Sequence, residues 1–579
     1  MRGRTQGIAL LSVLLAAGVV APPAAAQTAA AAHQAAPKRT AACQGDWLPA
    51  TPTSEDIMAG KLEFVGLPAV TVGQDVNWHT NPYRNRSWGM VFHSLRWMGR
   101  LVADYETSGN EKYLARAIEV AKDWVADNPR GGRGTDQYAW AEHPVALRAP
   151  ALVCLSMHVN ADWLKRSLAE HAKVLANPAL YEKGHNHGLD QDIGLLGIGC
   201  RYRQSKWSGL AVRRMTSSAR LAIDSQGALQ EQAPRYGVYV YERMAVAIEK
   251  IKDCGLKVPA ELTRRWNSLA SYITHATQPN GNMVAIGDGG PDVRPAGYDH
   301  DKQKVKVFHQ AGYVFGRTAW DKPESAYYSI RFGPGLKYHG HEDHLGVTYY
   351  AQGRDVLVDV GFHSYEKSAY RYWTMSPEAH NVPVIAGARF RPHTASKLTR
   401  ARLGTQRQTY KLTDNAYGVR RTRSVLVNHG DDLMAVLDTA PKGSRLRNLW
   451  HFPADLKVLS NGGGRIVLGA QGGASDGKDG DGGRDWRVSL VQLAMPSCTP
   501  VGGQSVKIGQ TSPFQGWVSP AYMRKEKAPA VVSPEAGALL TVIVPGTDAP
   551  DVSCSGGKVT VHTAGGKVSF RASGSGDLS

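Results

Sequence analysis

The sequence predicts an α+β, multidomain chain, with an N-terminal (α/α) toroid followed by a C-terminal antiparallel β-sandwich. Three observations predict it. From about residue 88 to 274, apolar residues recur at spacings of three and four, as on one face of a helix. Across 278–295 the composition turns to Gly, Pro, Asn and Asp, as in QPNGN and GDGGPDVRP. Beyond it the runs are short, rich in β-branched and aromatic residues, and separated by turn residues.

The helical elements follow in order. In 88–105, Trp88, Phe92, Leu95, Met98, Leu101, Val102 and Tyr105 define one apolar stripe, closed by a Thr-Ser-Gly-Asn turn. Tyr113, Leu114, Ala117, Ile118, Ala121, Trp124 and Val125 define the next, which stops near Asn128-Pro129. Further helices are expected at 144–158, 161–175, 188–200, 209–224, 238–254 and 259–274. Helix hairpins with short turns and no strict repeat suggest a ring of helix pairs rather than a solenoid. The toroid is expected at 51–295, its last residues forming the link to a sandwich at 305–579. Strands are expected at 312–315, 326–332, 346–352, 356–360, 382–386, 424–428, 433–438, 488–493, 539–543 and 558–562. The Gly/Asp-rich stretch 461–485 reads as a hairpin loop.

The first residues speak to the compartment. Arg2 and Arg4 precede an apolar run at 8–20, and Ala24, Ala25 and Ala26 make an Ala-x-Ala site. That is a secretory signal peptide over 1–26, because the run is shorter than the ~20 residues a membrane span needs. An Ala-rich, polar tether is expected over 27–50. Six cysteines and no CxxC suit disulfides in an exported protein, with Cys498 and Cys554 placed to pair. The net charge is +18. For an exported chain this points to a polyanionic glycan or an anionic surface rather than nucleic acid, and no Lys/Arg run argues otherwise.

Three polar clusters carry chemistry. His185-Asn186-His187 opens a helix, where donors and the dipole welcome an anion; Asn is equally a favoured cap. Glu231-Gln-Ala-Pro-Arg-Tyr236 precedes another helix. Arg235 is positioned to lower the Tyr236 phenol pKa, and a packed aromatic is the simpler alternative. The third is Tyr338-His-Gly-His-Glu-Asp-His344. In an extended segment His339 and His341 point the same way, and Asp359 and His380-Asn381 follow. Two imidazoles and a carboxylate make a zinc-type set; loop histidines at the surface are the alternative.

The run from His339 to Leu345, then Gly353-Arg-Asp-Val-Leu-Val-Asp-Val-Gly361, Arg371 and Ala379-His-Asn-Val382 resembles the heparinase II/III-like polysaccharide lyases. Asn186-His187 and the run ending in Tyr236 resemble the helical-domain motifs of that family. The resemblance implies β-elimination on a uronic-acid polysaccharide. It implies that Asn186 and His187 neutralise the uronate carboxylate, that Tyr236 is the catalytic acid and, for substrates whose C5 proton and leaving oxygen share a face, also the base, and that His339 is the second catalytic group. It implies a structural zinc on His341, Asp359 and His380. Arg148, Glu231, Arg371 and Asn381 would be substrate-side or supporting residues. Gly237 stands where the family often has His, and Ala233 where Ser is common, which leaves the polymer open. Two rivals remain: a toroidal hydrolase using Glu142, Asp190 and Glu231, and a non-catalytic glycan-binding protein. A hydrolase needs two carboxylates flanking the bond.

Overall fold

Helices form where the periodicity places them. In the computed structural model, which describes residues 51–298, 302–470, 486–547, 549–563 and 565–579, they run from Ser54–Met58 to Ala260–His275. The expected signal peptide and tether lie outside the described residues, as does 471–485. The described residues form one compact unit. No helix among them is long and apolar enough to cross a membrane.

One expected helix is two. Arg86–His93 and Gly99–Ser108 are separated by a turn in which Leu95 has φ +48°. Apolar spacing continues across the break because Leu95 and Met98 remain buried, so periodicity alone cannot reveal it. Asn85 and Asn110 cap the helices on either side of this region by accepting from Trp88 N and Lys112 N. The remaining helices, Glu142–Ser156, Asp162–Ala176, Asn186–Arg201, Ser205–Ala222, Pro234–Asp253 and Ala260–His275, begin within a few residues of their expected starts. Disulfides join Cys200 to Cys254 and Cys498 to Cys554.

The β region is antiparallel throughout its named sheets. A five-stranded meander runs from Val305–Phe308 to Arg354–Leu357. It packs on a large sheet whose centre includes Arg421–Asn428, Leu433–Thr439 and Ala538–Pro545. Side chains alternate across this sheet. Val425, Val427, Met434 and Val436 face the meander, with Tyr328, Ile330 and Tyr349 in the same core. Leu426, Ala435 and Leu437 face the other way, onto Val559, Val561, Val568 and Phe570. The expected two-layer sandwich therefore carries a third layer, the three-stranded sheet from Asp551–Ser555 to Gly566–Arg571. The first part of the expected 461–485 loop is strand instead: Lys457–Gly462 and Arg465–Ala470 pair through a Gly463-Gly464 turn.

The two regions share a core. Tyr272 and Ile273 of the last toroid helix cluster with Phe308, Tyr313 and Phe315 of the meander. Arg317 reaches back to the carbonyls of Thr274, His275 and Thr277. The segment 278–295 is held at its start, where Gln278 Nε2 donates to Asp355 Oδ1 at 2.7 Å, and its middle enters the functional site.

Candidate active site

The site forms where the N-termini of two helices meet two loops of the β region. Asn186 is the first residue of Asn186–Arg201, and the cap is His185, which accepts from His187 N. Pro234 opens the helix that carries Tyr236; a proline fits a helix start because its missing N–H would have no partner there. The β region contributes His339, from the loop before the strand Val347–Ala351, and Tyr365, from the loop before the helix Ala369–Thr374.

These groups are in direct contact. The Tyr236 ring stacks on His339 with centroids 3.5 Å apart and planes at 6°. The Tyr236 hydroxyl bonds that of Tyr365, which lies 3.4 Å from His339 Nδ1. His339 Nδ1 also faces Asp288 Oδ2 at 3.2 Å, and its Nε2 lies 3.4 Å from Asn186 Nδ2. Asp288 is buried, and burial alone would raise its pKa; hydrogen bonds from His339 and His341 with the Arg371 charge hold it well below the usual carboxylate range. The ionised Asp288 fixes the His339 proton on Nδ1 and leaves Nε2 as the free lone pair. Burial lowers the His339 pKa, so the ring is neutral.

The expected lowering of the Tyr236 pKa is overturned. Burial pushes the phenol up and outweighs Arg235, whose guanidinium lies 3.7 Å from Asp292. Tyr236 therefore keeps its proton at rest. The neighbouring tyrosines are committed elsewhere: Tyr239 donates to Asp190 at 2.6 Å, and Tyr241 stacks on Trp266.

His187 lies at the rim. Its Nδ1 is 3.1 Å from Glu142 Oε1, and its ring stacks on His143 at 3.7 Å. The His187 hydrogen bond draws the Glu142 pKa down to about 2, and burial takes His143 down to about 4. His143 in turn contacts Asp190, which also receives Arg243. Asp190 and Glu231 are fully buried, so the carboxylates proposed for a hydrolase do not face each other across an open cleft.

Burial puts three of these residues on the supporting side. Arg148 is fully enclosed between Trp124 and Trp140 and spends its donors on His171 and on the carbonyls of His93 and Ala139; it braces the toroid and does not meet a substrate. Asn381 donates to the carbonyls of Val347 and Val358 and accepts from His451 N, tying strands together. Glu231 lies beneath Asn186 and accepts from both its backbone N–H and its amide. Burial in an apolar surrounding raises the Glu231 pKa to about 8 against those two hydrogen bonds. Arg371 is half-buried beside the site and donates to Asp288 at 2.5 Å.

Among the described residues, two clusters that mix histidine with a carboxylate offer a metal ion the right ligand types: His341, Asp359 and His380, and His185, Glu231 and His339, each with ligand atoms within 4.8 Å of one another. In the second, Asn186 Nδ2 sits 2.6 Å from Glu231 Oε2 and 3.4 Å from each imidazole Nε2, so the amide occupies the centre. In the first, His341 Nδ1 and His380 Nε2 are buried without a hydrogen-bond partner, while Asp288 supports His341 through Nε2 at 3.0 Å. Buried polar atoms rarely go unpaired, and a carboxylate behind a ligating imidazole is the usual support. His341, Asp359 and His380 fit a metal; the other trio does not.

Asp288 and Tyr365 are absent from the sequence-derived site. Asp288 sits in a Gly-rich run that reads as turn chemistry, and Tyr365 in an aromatic loop without period.

The profile for the Heparinase II/III N-terminus matches residues 58–313, and that for the Heparinase II/III-like C-terminal region matches 300–539. The chain belongs to the heparinase II/III-like family. A heparin-sulfate lyase of Bacteroides thetaiotaomicron is 24% identical over 389 residues, covering 55% of this chain and 54% of the relative. One of Pedobacter heparinus is 21% identical over 333 residues, covering 51% and 50%. The chain spans about half the length of these curated relatives. The solved heparinase III is similar in fold with TM-score 0.70 at 18% identity, covering 87% of this chain and 86% of that one. A heparan sulfate lyase of Pedobacter heparinus gives 0.62 at 17%, covering 93% and 90%.

Proposed function

We propose that this protein is a polysaccharide lyase that cleaves a uronic-acid-containing glycosaminoglycan by β-elimination. The observation that carries the reading is the contact of Asn186, Tyr236 and His339, three groups from distant parts of the chain. Asn186 and His187 receive the uronate carboxylate and stabilise the charge that builds on it as C5 loses its proton. The neutral His339 takes that proton on Nε2. The C5–H electrons form the C4–C5 double bond, the C4–O bond breaks, and the Tyr236 phenol protonates the departing oxygen. Burial of Tyr236 suits the acid role, since the phenol is intact when the bond breaks.

The net charge of +18 supports a polyanionic substrate, and the names of the two relatives support a heparin- or heparan-type chain. We place one zinc on His341, Asp359 and His380. It would supply a structural crosslink that holds the His339 loop, with Asp288 and Arg371 packed around it. The disulfides Cys200–Cys254 and Cys498–Cys554 support an exported protein, in keeping with the expected signal peptide. The test is a panel of heparan, hyaluronan, chondroitin and alginate, read by the ultraviolet band of the unsaturated uronate. Cleavage of any member with that band supports the lyase; new reducing ends without it mean hydrolysis.

A further inference from the structure

Asn186 is held by more than its helix. Glu231 Oε1 accepts from its backbone N–H at 2.8 Å, and Oε2 from its side-chain amide at 2.6 Å. A proton on Glu231 leaves both bonds in place, because each carboxyl oxygen keeps a lone pair for its donor. One amide hydrogen is therefore anchored. The other faces two imidazoles, each with Nε2 at 3.4 Å. His185 Nδ1 already accepts from His187 N, so the neutral ring carries its hydrogen on Nε2 and accepts nothing there. Only His339 Nε2 competes, at a length where a hydrogen bond is weak. That second hydrogen is free to be taken by an incoming carboxylate.

We infer that Glu231 is the positioning residue that sets the polarity of the Asn186 amide, holding its NH2 rather than its carbonyl oxygen toward the substrate carboxylate. The inference rests on the lyase reading above. An asparagine amide has nearly the same shape in its two orientations, and only its partners choose between them. With the oxygen turned to the cleft, the site would repel the group it has to neutralise. The two-point grip explains why a fully buried carboxyl stands behind the amide rather than an apolar residue. It also explains the metal-like trio around Asn186, as acceptors and neighbours of one NH2 group.

The test is Glu231→Gln. Glutamine keeps the shape and still accepts from the backbone N–H, but its NH2 then meets that of Asn186. The Asn186 amide must turn its oxygen inward to the new donor and to the imidazoles. Turnover, kcat, should fall about 10²–10³-fold, the cost of one oxyanion-type donor, with KM little changed. In an Asn186→Ala background the same substitution should cost almost nothing more, since the hydrogen it misdirects is already gone. Multiplied losses in the double variant would overturn the inference. So would a fully active Glu231→Gln, the result expected if Glu231 instead donates its proton to the amide oxygen. Should that variant not fold, Glu231→Asp, one methylene shorter, replaces it: a loss in kcat absorbed by Asn186→Ala supports the inference, and a loss that persists there refutes it. A wild type that cleaves none of the panel breaks the lyase reading itself and is seen before any variant is made.

Discussion

Two clusters in this molecule have the same composition, two histidines and a carboxylate, and share a loop: His339 belongs to one and His341 to the other. Around Asn186, the ring nitrogens are directed at an amide or a carboxylate. Around Asp359, each imidazole keeps one buried nitrogen with no protein partner. Residue types alone do not separate the two. What separates them is whether a protein donor already stands at the centre. On the proposed reading, the first cluster serves a substrate that arrives and leaves, and the second a ligand that stays.

The comparison is sharpest at Tyr236, which stacks on the first cluster and does not touch the second. Tyr236→Phe removes the phenol oxygen and keeps the ring. Cleavage of every substrate should vanish while bound metal and thermal unfolding stay at wild-type values. Appreciable lyase activity in this variant would show that the acid lies elsewhere, and Tyr365, bonded to the same hydroxyl, would be tested next.

Asn186→Ala comes second in size. It should reduce kcat by about two to three orders of magnitude. Asn186 is not the helix cap, which is His185, so folding should change little. A variant that unfolds easily yet turns over normally per folded molecule would mean that the amide serves the helix rather than the substrate.

The second cluster should respond in the opposite way. His341→Ala removes a buried side chain of the proposed zinc set, so bound zinc should be lost along with several degrees of Tm. Activity should fall less than in Tyr236→Phe, because His339 keeps Asp288. Elemental analysis showing no zinc in the wild type, or a His341→Ala variant as stable as wild type, would remove the distinction between the clusters.

How much of this was legible in sequence follows from what each signal depends on. The helices were legible because their stripes keep a 3.6 period, but the break at Leu95 was not, because burial continues through it. The paired strands Lys397–Leu403 and Arg407–Asp414 were missed: the first is an exposed edge strand whose Lys, Thr and Arg side chains show no apolar alternation. His339, His341 and His380 were legible by their clustering near an aspartate. Asp288 was hidden by the glycines around it, which look like a link between domains and serve instead to bring backbone close: Gly287, at φ +61°, lies against the carbonyls of His339 and Gln232. Arg148 and Asn381 stand in motifs beside candidate site residues, and only burial shows that they brace the frame.

A last effect is on stability against pH, and it tests the first cluster from its buried side. An unfolded glutamate titrates near pH 4.3. In the native protein, burial first, opposed by the two Asn186 hydrogen bonds, puts Glu231 at about 8. The native state therefore binds this proton more tightly than the unfolded chain does. Its contribution to stability is full below about pH 4.3, declines as the pH rises, and is lost once the pH passes the native value. Glu231→Gln cannot titrate and removes only this dependence; every other group is common to both proteins and cancels. The Tm of wild type minus that of Glu231→Gln should fall steadily between pH 5 and pH 8.5. Parallel curves would mean that Glu231 is ionised throughout, held by Asn186 more strongly than burial opposes. The amide clamp would then stand, but the neutral carboxyl that keeps a second negative charge away from the substrate would not.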